Sequence, residues 1–172
     1  MIKAIITFII LFTVDNLIVI FFPIQPIFGN YRVVPYLLLI GICLYAFYDK
    51  KNYATWLALA FGLIYDIYAV NLLGLYATIF PIIVILIKKY IVEITPVNFV
   101  SIFYVTTVAI LMVETIVYIL VVIITRQTVT VFEFIQYRLI ITLIFNIALL
   151  AMVYLPLVKI LQPKPEKKSK QS

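Results

Sequence analysis

The sequence has no histidine, one cysteine and four glycines in 172 residues. Without histidine there is no imidazole base, no Ser-His-Asp triad and no Cys/His zinc site. A single cysteine excludes a disulfide within the chain. Cys43 lies in an apolar run, where a thiol behaves as a small core hydrophobe. Charge is scarce as well: 12% of residues are Asp, Glu, Lys or Arg, against about a quarter in soluble domains. Apolar residues make up 66%, more than a water-soluble core can hide. The length fits one domain, and the class is all-α, a polytopic membrane helical bundle.

Hydropathy and punctuation divide the chain into six expected spans, residues 4–22, 33–48, 53–70, 72–87, 97–124 and 139–160. Lys3 and the greasy run behind it imitate a secretory leader. No small-residue cleavage site follows, so the run is read as a retained first span. Pro23 and Pro26 close it. Pro35 suits the first turn of the second span, and Pro81 interrupts the fourth. Between Arg126 and Arg138 the residues Val131, Phe132, Ile135 and Leu139 recur at helical spacing, which predicts an amphipathic helix lying in the membrane interface. Residues 1–162 form the transmembrane domain, and 163–172 a polybasic, disordered tail.

Six spans place both termini on one side. With that side cytoplasmic, all ten lysines fall inside, and Arg32, Arg126 and Arg138 fall outside. This is a strong positive-inside bias. It accounts for the net charge of +6 without nucleic acid, and offers anionic lipids as partners at the cytoplasmic face.

The same topology gives depth to the few polar residues within the spans. Asp15, Asp66, Glu114 and Asn146 all fall in the outer half of the bilayer. An acid at the centre of a membrane helix costs about 2.5–3.5 kcal/mol on insertion scales, so these residues face protein or water. They are expected to form an outward-facing polar cluster with Arg138 as counter-charge. Arg138, Thr142 and Asn146, spaced by four, share a helix face. Ala54, Ala58 and Gly62 lead up to Asp66 at the same spacing. That stripe suits close helix packing, and is also a candidate docking seam for another membrane helix. No metal or cofactor is expected, and no nucleophile–base motif accompanies the carboxylates.

Several ordered motifs resemble the rod shape-determining MreD family. They are Val34-Pro35-Tyr36-Leu37-Leu38-Leu39, then Phe61-Gly62-Leu63-Ile64-Tyr65-Asp66 with Leu73-Gly74 behind it, Glu114 with Tyr118, and Arg138, Asn146 and Pro156. Asp15 in the first span also matches. The resemblance covers nearly the whole chain, though the connection from Gln127 to Gln136 carries little of it. It implies a non-enzymatic membrane scaffold of the bacterial cell-elongation complex. Such a scaffold binds MreC and helps couple MreB filaments to the peptidoglycan synthases RodA and its transpeptidase, in the cell membrane. It also implies a fold similar to the substrate-binding subunits of energy-coupling-factor transporters. The residues leave two rivals open: a vitamin-type transporter subunit with an outward pocket, and a small membrane enzyme acting on lipid or cell-wall precursors.

Overall fold

The computed structural model describes residues 2–21, 33–70, 73–125 and 130–163. The expected loop through Pro23 and Pro26, Arg32, Arg126, the Asn71-Leu72 part of the third turn, and the polybasic tail from Lys164 onward lie outside the described residues. Among the described residues all regular structure is helical. The elements are α1 (Ile2–Phe21), α2 (Leu37–Tyr48), α3 (Tyr53–Tyr65, continued by a wide π-helical turn over Asp66–Val70), α4 (Leu75–Tyr90), α5 (Phe99–Thr125), α6 (Val131–Phe134) and α7 (Ile140–Leu161).

Helix α2 is the centre of the fold. Every residue from Leu37 to Phe47 is buried, so the helix is apolar all round because neighbours cover it all round. It spans 12 residues, about 18 Å at the helical rise. Phe8 of α1 sets its ring edge-on against Tyr45 of α2 and Phe61 of α3, with centroids 5.8 and 5.6 Å apart. The outward faces of the surrounding helices are greasy: Ile6 and Ile10 on α1, Trp56 on α3, Tyr104 and Val108 on α5, and Ile144 and Met152 on α7 are all exposed. A protein in water would bury them. A protein in a bilayer has no reason to.

Among the described residues three helices are long and apolar enough to cross a membrane: Ile2–Phe21, Phe99–Ile124 and Val131–Leu161. The structure corrects several boundaries. The second segment is helical only from Leu37, and Val33–Tyr36 is not helical. Pro35 therefore precedes the helix instead of opening its first turn. Helix α4 runs unbroken through Pro81 and on to Tyr90, beyond the expected end at Ile87. The segment expected to lie flat in the interface does not form a separate helix. Phe134, Ile135, Leu139 and Ile140 all have right-handed helical dihedrals, so α6, the π-turn Ile135–Leu139 and α7 form one rod of 31 residues. A Thr130–Glu133 capping box starts it, satisfying amides that no earlier turn can reach.

Lys3, Lys50, Lys51, Lys88, Lys89 and Lys159 lie at one end of the bundle, called here the lysine end. There Asp49 accepts from the amides of Lys51 and Ala54 and pairs with Lys88 at 3.0 Å. Phe99 and Tyr154 meet at the same end, with ring centroids 5.1 Å apart.

A candidate polar layer across the bundle

Asp15, Asp66, Glu114 and Asn146 each lie roughly 13 to 15 residues from the lysine-end terminus of their helix, about 20 Å at the helical rise. They therefore form one layer, although they come from four helices. All four are at most 2% exposed.

The layer exists because the chain enters α2 inside the bundle. A helix begins with amide groups that have no intrahelical partner, and where no water reaches them each must be satisfied by protein. The segment Val34–Leu38 meets this demand with side chains from all around it. Asp15 of α1 accepts from the amides of Leu37 (2.8 Å) and Leu38 (2.9 Å) with its two oxygens. The Asn146 carbonyl accepts from the Tyr36 amide at 2.7 Å, while its Nδ2 donates to the carbonyls of Val34 (2.7 Å) and Thr142 (2.8 Å). The Tyr65 hydroxyl of α3 donates to the Pro35 carbonyl at 3.3 Å. The Tyr36 side chain, wholly buried, then reaches α5, where its hydroxyl donates to Glu114 Oε1 at 2.8 Å.

Among the described residues, Glu114 is the one acid of the layer with a cationic partner. Arg138 donates from Nε to Oε2 at 2.6 Å and from Nη2 to Oε1 at 3.4 Å. The glutamate side chain is fully buried and that of the arginine 26% exposed, so the guanidinium keeps one edge toward the surroundings. Arg138 sits in the π-turn. Close by, Phe134 stacks on Tyr118 of α5 with centroids 4.3 Å apart, which fixes the start of the rod against α5.

Asp66 performs the same task as Asp15 at a second helix start. It accepts from the amides of Gly74 (2.8 Å), Tyr76 (2.6 Å) and Ala77 (3.2 Å), and so caps α4. Gly74 has φ +102°, a left-handed conformation that a side chain would strain. Gly62, one turn before Asp66, explains how the carboxylate reaches these amides. A Cβ there would lie 2.5 Å from the Tyr76 carbonyl and 2.8 Å from the Ala77 backbone. Only a glycine lets α3 approach α4 closely enough for the cap to form.

The arrangement settles where each expected residue goes. Glu114 and Arg138 pair, and Asp15, Asn146 and Glu114 converge on the segment Val34–Leu38. Asp66 shares their depth but its oxygens are turned to α4, and none of its hydrogen bonds reaches the others. Ala54 and Ala58 are fully buried, and with Gly62 they face the interior. The stripe offered as a docking seam for a foreign helix is filled at Gly62 by the chain's own α4. Sequence reasoning missed Tyr36 and Tyr65, whose hydroxyls complete the layer. The signal was present in Tyr36, a polar group beside Pro35 at the start of an apolar run.

The family described as rod shape-determining protein MreD matches residues 1–164 of the chain. No curated protein and no solved structure matches it significantly.

Proposed function

The chain belongs to the MreD family of rod shape-determining proteins, and we propose that it is a non-enzymatic membrane scaffold of the bacterial cell-elongation complex. In this reading it crosses the cell membrane six times with both termini cytoplasmic. It binds MreC and helps couple MreB filaments to RodA and its transpeptidase. The lysine end is the cytoplasmic end, and the polar layer lies in the outer half of the bilayer.

One observation carries the reading: the polar atoms of the layer are spent on the protein itself. Both oxygens of Asp15, Asp66 and Glu114, and both polar atoms of Asn146, engage groups of this chain. A ligand pocket of the vitamin-transporter kind needs donors and acceptors left free to fix its ligand's orientation. A membrane enzyme needs a nucleophile beside a base. Carboxylates holding helix starts in place instead suit a rigid body on which other proteins assemble. Because Gly62 is packed against α4, the partner surface is placed elsewhere. The outer end of the α5 and α6–α7 rods offers exposed Ile123, Ile124, Val131 and Phe132.

The test is recovery of partners from native membranes. The wild-type chain should co-purify with a single-span protein and restore rod shape to depleted cells. Phe132→Glu should lose the partner while the purified chain stays folded. Tight retention of a vitamin-like molecule with no protein partner would replace the scaffold with a transporter subunit. Turnover of a lipid-linked precursor, abolished by Asp66→Ala without loss of assembly, would replace it with an enzyme.

A further inference from the structure

A groove of about 470 Å³ opens sideways between α4 and α5 toward the lysine end. Leu86 and Ile87 of α4 and Val105 and Val108 of α5 line it, and its polar groups gather at the connection and the start of α5, through Thr95, Asn98, Ser101 and Tyr104. None of these residues belongs to the polar layer.

Two features around the groove indicate its occupant. First, hydrogen-bond donors stand at the end of α4 and in the connection. Asn98 uses its carbonyl to accept from the Ser101 amide and hydroxyl, both at 2.8 Å. Lys88 is committed to Asp49 and Asn52. Its neighbour Lys89 is exposed, stands between the lining residues Ile87 and Ile91, and lies over the Tyr90 ring, 5.1 Å from its centroid. Second, the size selects against a helix. A slot of this volume admits roughly one turn of a helix about 10–12 Å across, whereas it falls within the range of about 300–1,000 Å³ that suits a small amphiphile. An apolar slot open to the bilayer, with an exposed cation and an amide donor at headgroup level, is complementary to a molecule with a greasy chain and a negative head.

We propose that this groove is a binding site for an anionic phospholipid of the leaflet at the lysine end. An acyl chain lies between α4 and α5, and the phosphate sits at the level of Lys89 and Asn98. The site is distinct from the diffuse attraction of the basic tail, and rests on the membrane reading above.

The test uses the full-length chain, purified in mild detergent and examined by native mass spectrometry with phosphatidylglycerol or phosphatidylcholine added. The wild type should retain one phosphatidylglycerol in preference to phosphatidylcholine. Val108→Trp, at a half-exposed rim position, fills the slot and should abolish retention. Lys89→Gln, a surface change that leaves the fold alone, should lower the preference for the anionic lipid about fivefold. Equal retention by Val108→Trp, or an unchanged preference in Lys89→Gln, would overturn the site. So would loss of a single-span protein partner in Val108→Trp with lipid retention intact, since the groove would then seat a helix. Absence of the wild-type chain from membrane fractions would instead overturn the membrane reading itself.

Discussion

Asp66 and Glu114 lie at one depth and are equally buried, yet they are kept in place by different means. Three backbone amides at the start of α4 hold Asp66. Glu114 is held by an arginine and a tyrosine hydroxyl. The first arrangement needs no cation, because the exposed N–H groups and the partial positive charge of a helix start stabilise an anion. It also serves the helix, whose amides would otherwise go unsatisfied. The second joins α5 to the rod bearing Arg138, and through Tyr36 to the entrance of α2. Asp15 resembles Asp66 in chemistry but reaches farther along the chain, to amides 22 and 23 residues on, against 8 to 11 for Asp66. A buried acid here is thus either a local clasp or a strut between distant elements.

Removing the cation from the strut should have the largest effect. Arg138→Ala leaves Glu114 buried without counter-charge and should cost about 3–5 kcal/mol. A large fall in thermal midpoint in detergent would report it, and Glu114→Gln added to Arg138→Ala should recover part of the loss. If the single variant melts like the wild type, the ion pair is not what joins α5 to the rod.

Emptying the clasp comes next. Asp66→Ala strips three amides of a charged acceptor and should cost about 2–3 kcal/mol. Asp66→Asn, which keeps a carbonyl, should lose roughly half as much. Hydrogen exchange should then quicken at Tyr76 and Ala77 and stay slow at Leu37 and Leu38. Asp15→Ala should give the opposite pattern. Exchange quickening at both helix starts in either variant would show one cooperative layer instead of two separate caps.

Gly62→Ala tests the clasp without touching its acid. The added methyl pushes against the Tyr76–Ala77 backbone, so the cost is overpacking, about 1–3 kcal/mol. Its exchange signature should match that of Asp66→Asn, because both loosen the same amides.

The smallest effect belongs to the third aspartate, Asp49, outside the layer. Burial alone would raise its pKa, but the Ala54 amide, the Lys88 ammonium and the Lys51 amide together hold it below the usual carboxylate value. A depressed pKa contributes stability above the ordinary carboxylate range, and that contribution is lost as pH falls through the lowered value. Lys88→Ala should therefore cost no more than about 1 kcal/mol near neutrality. The difference from wild type should vanish in strong acid, as seen in melting midpoints between pH 7 and 3.

Much of this was legible in the residues. The all-helical class, the buried acids at a shared depth and the pairing of Arg138 with the layer follow from composition, spacing and charge placement. Thr142 and Asn146 continue the face of Arg138 at a spacing of four, and both are fully buried. The partners of the other acids were not legible. Asp15 and Asp66 bind main-chain amides, which every residue carries, so no letter in the sequence marks them. Nor did the apolar run from Val33 reveal that its first four residues stay outside the helix, since Val, Pro and Tyr suit either state. The interface segment failed for a related reason. Helical spacing from Val131 to Leu139 is real, but periodicity cannot say whether a helix stops at its end or continues into the next.

By itself the sequence determined that this chain is helical, lipid-facing on its outside, and compelled to hide a few acids at one level. Scarce charge and abundant apolar surface leave no other solution. Only the tertiary structure decided what those acids are for. Close approach at Gly62 and the burial of the entrance to α2 bring particular amides within hydrogen-bonding distance. Where no water reaches, those amides must be satisfied by protein, and Asp15 and Asp66 accept from them.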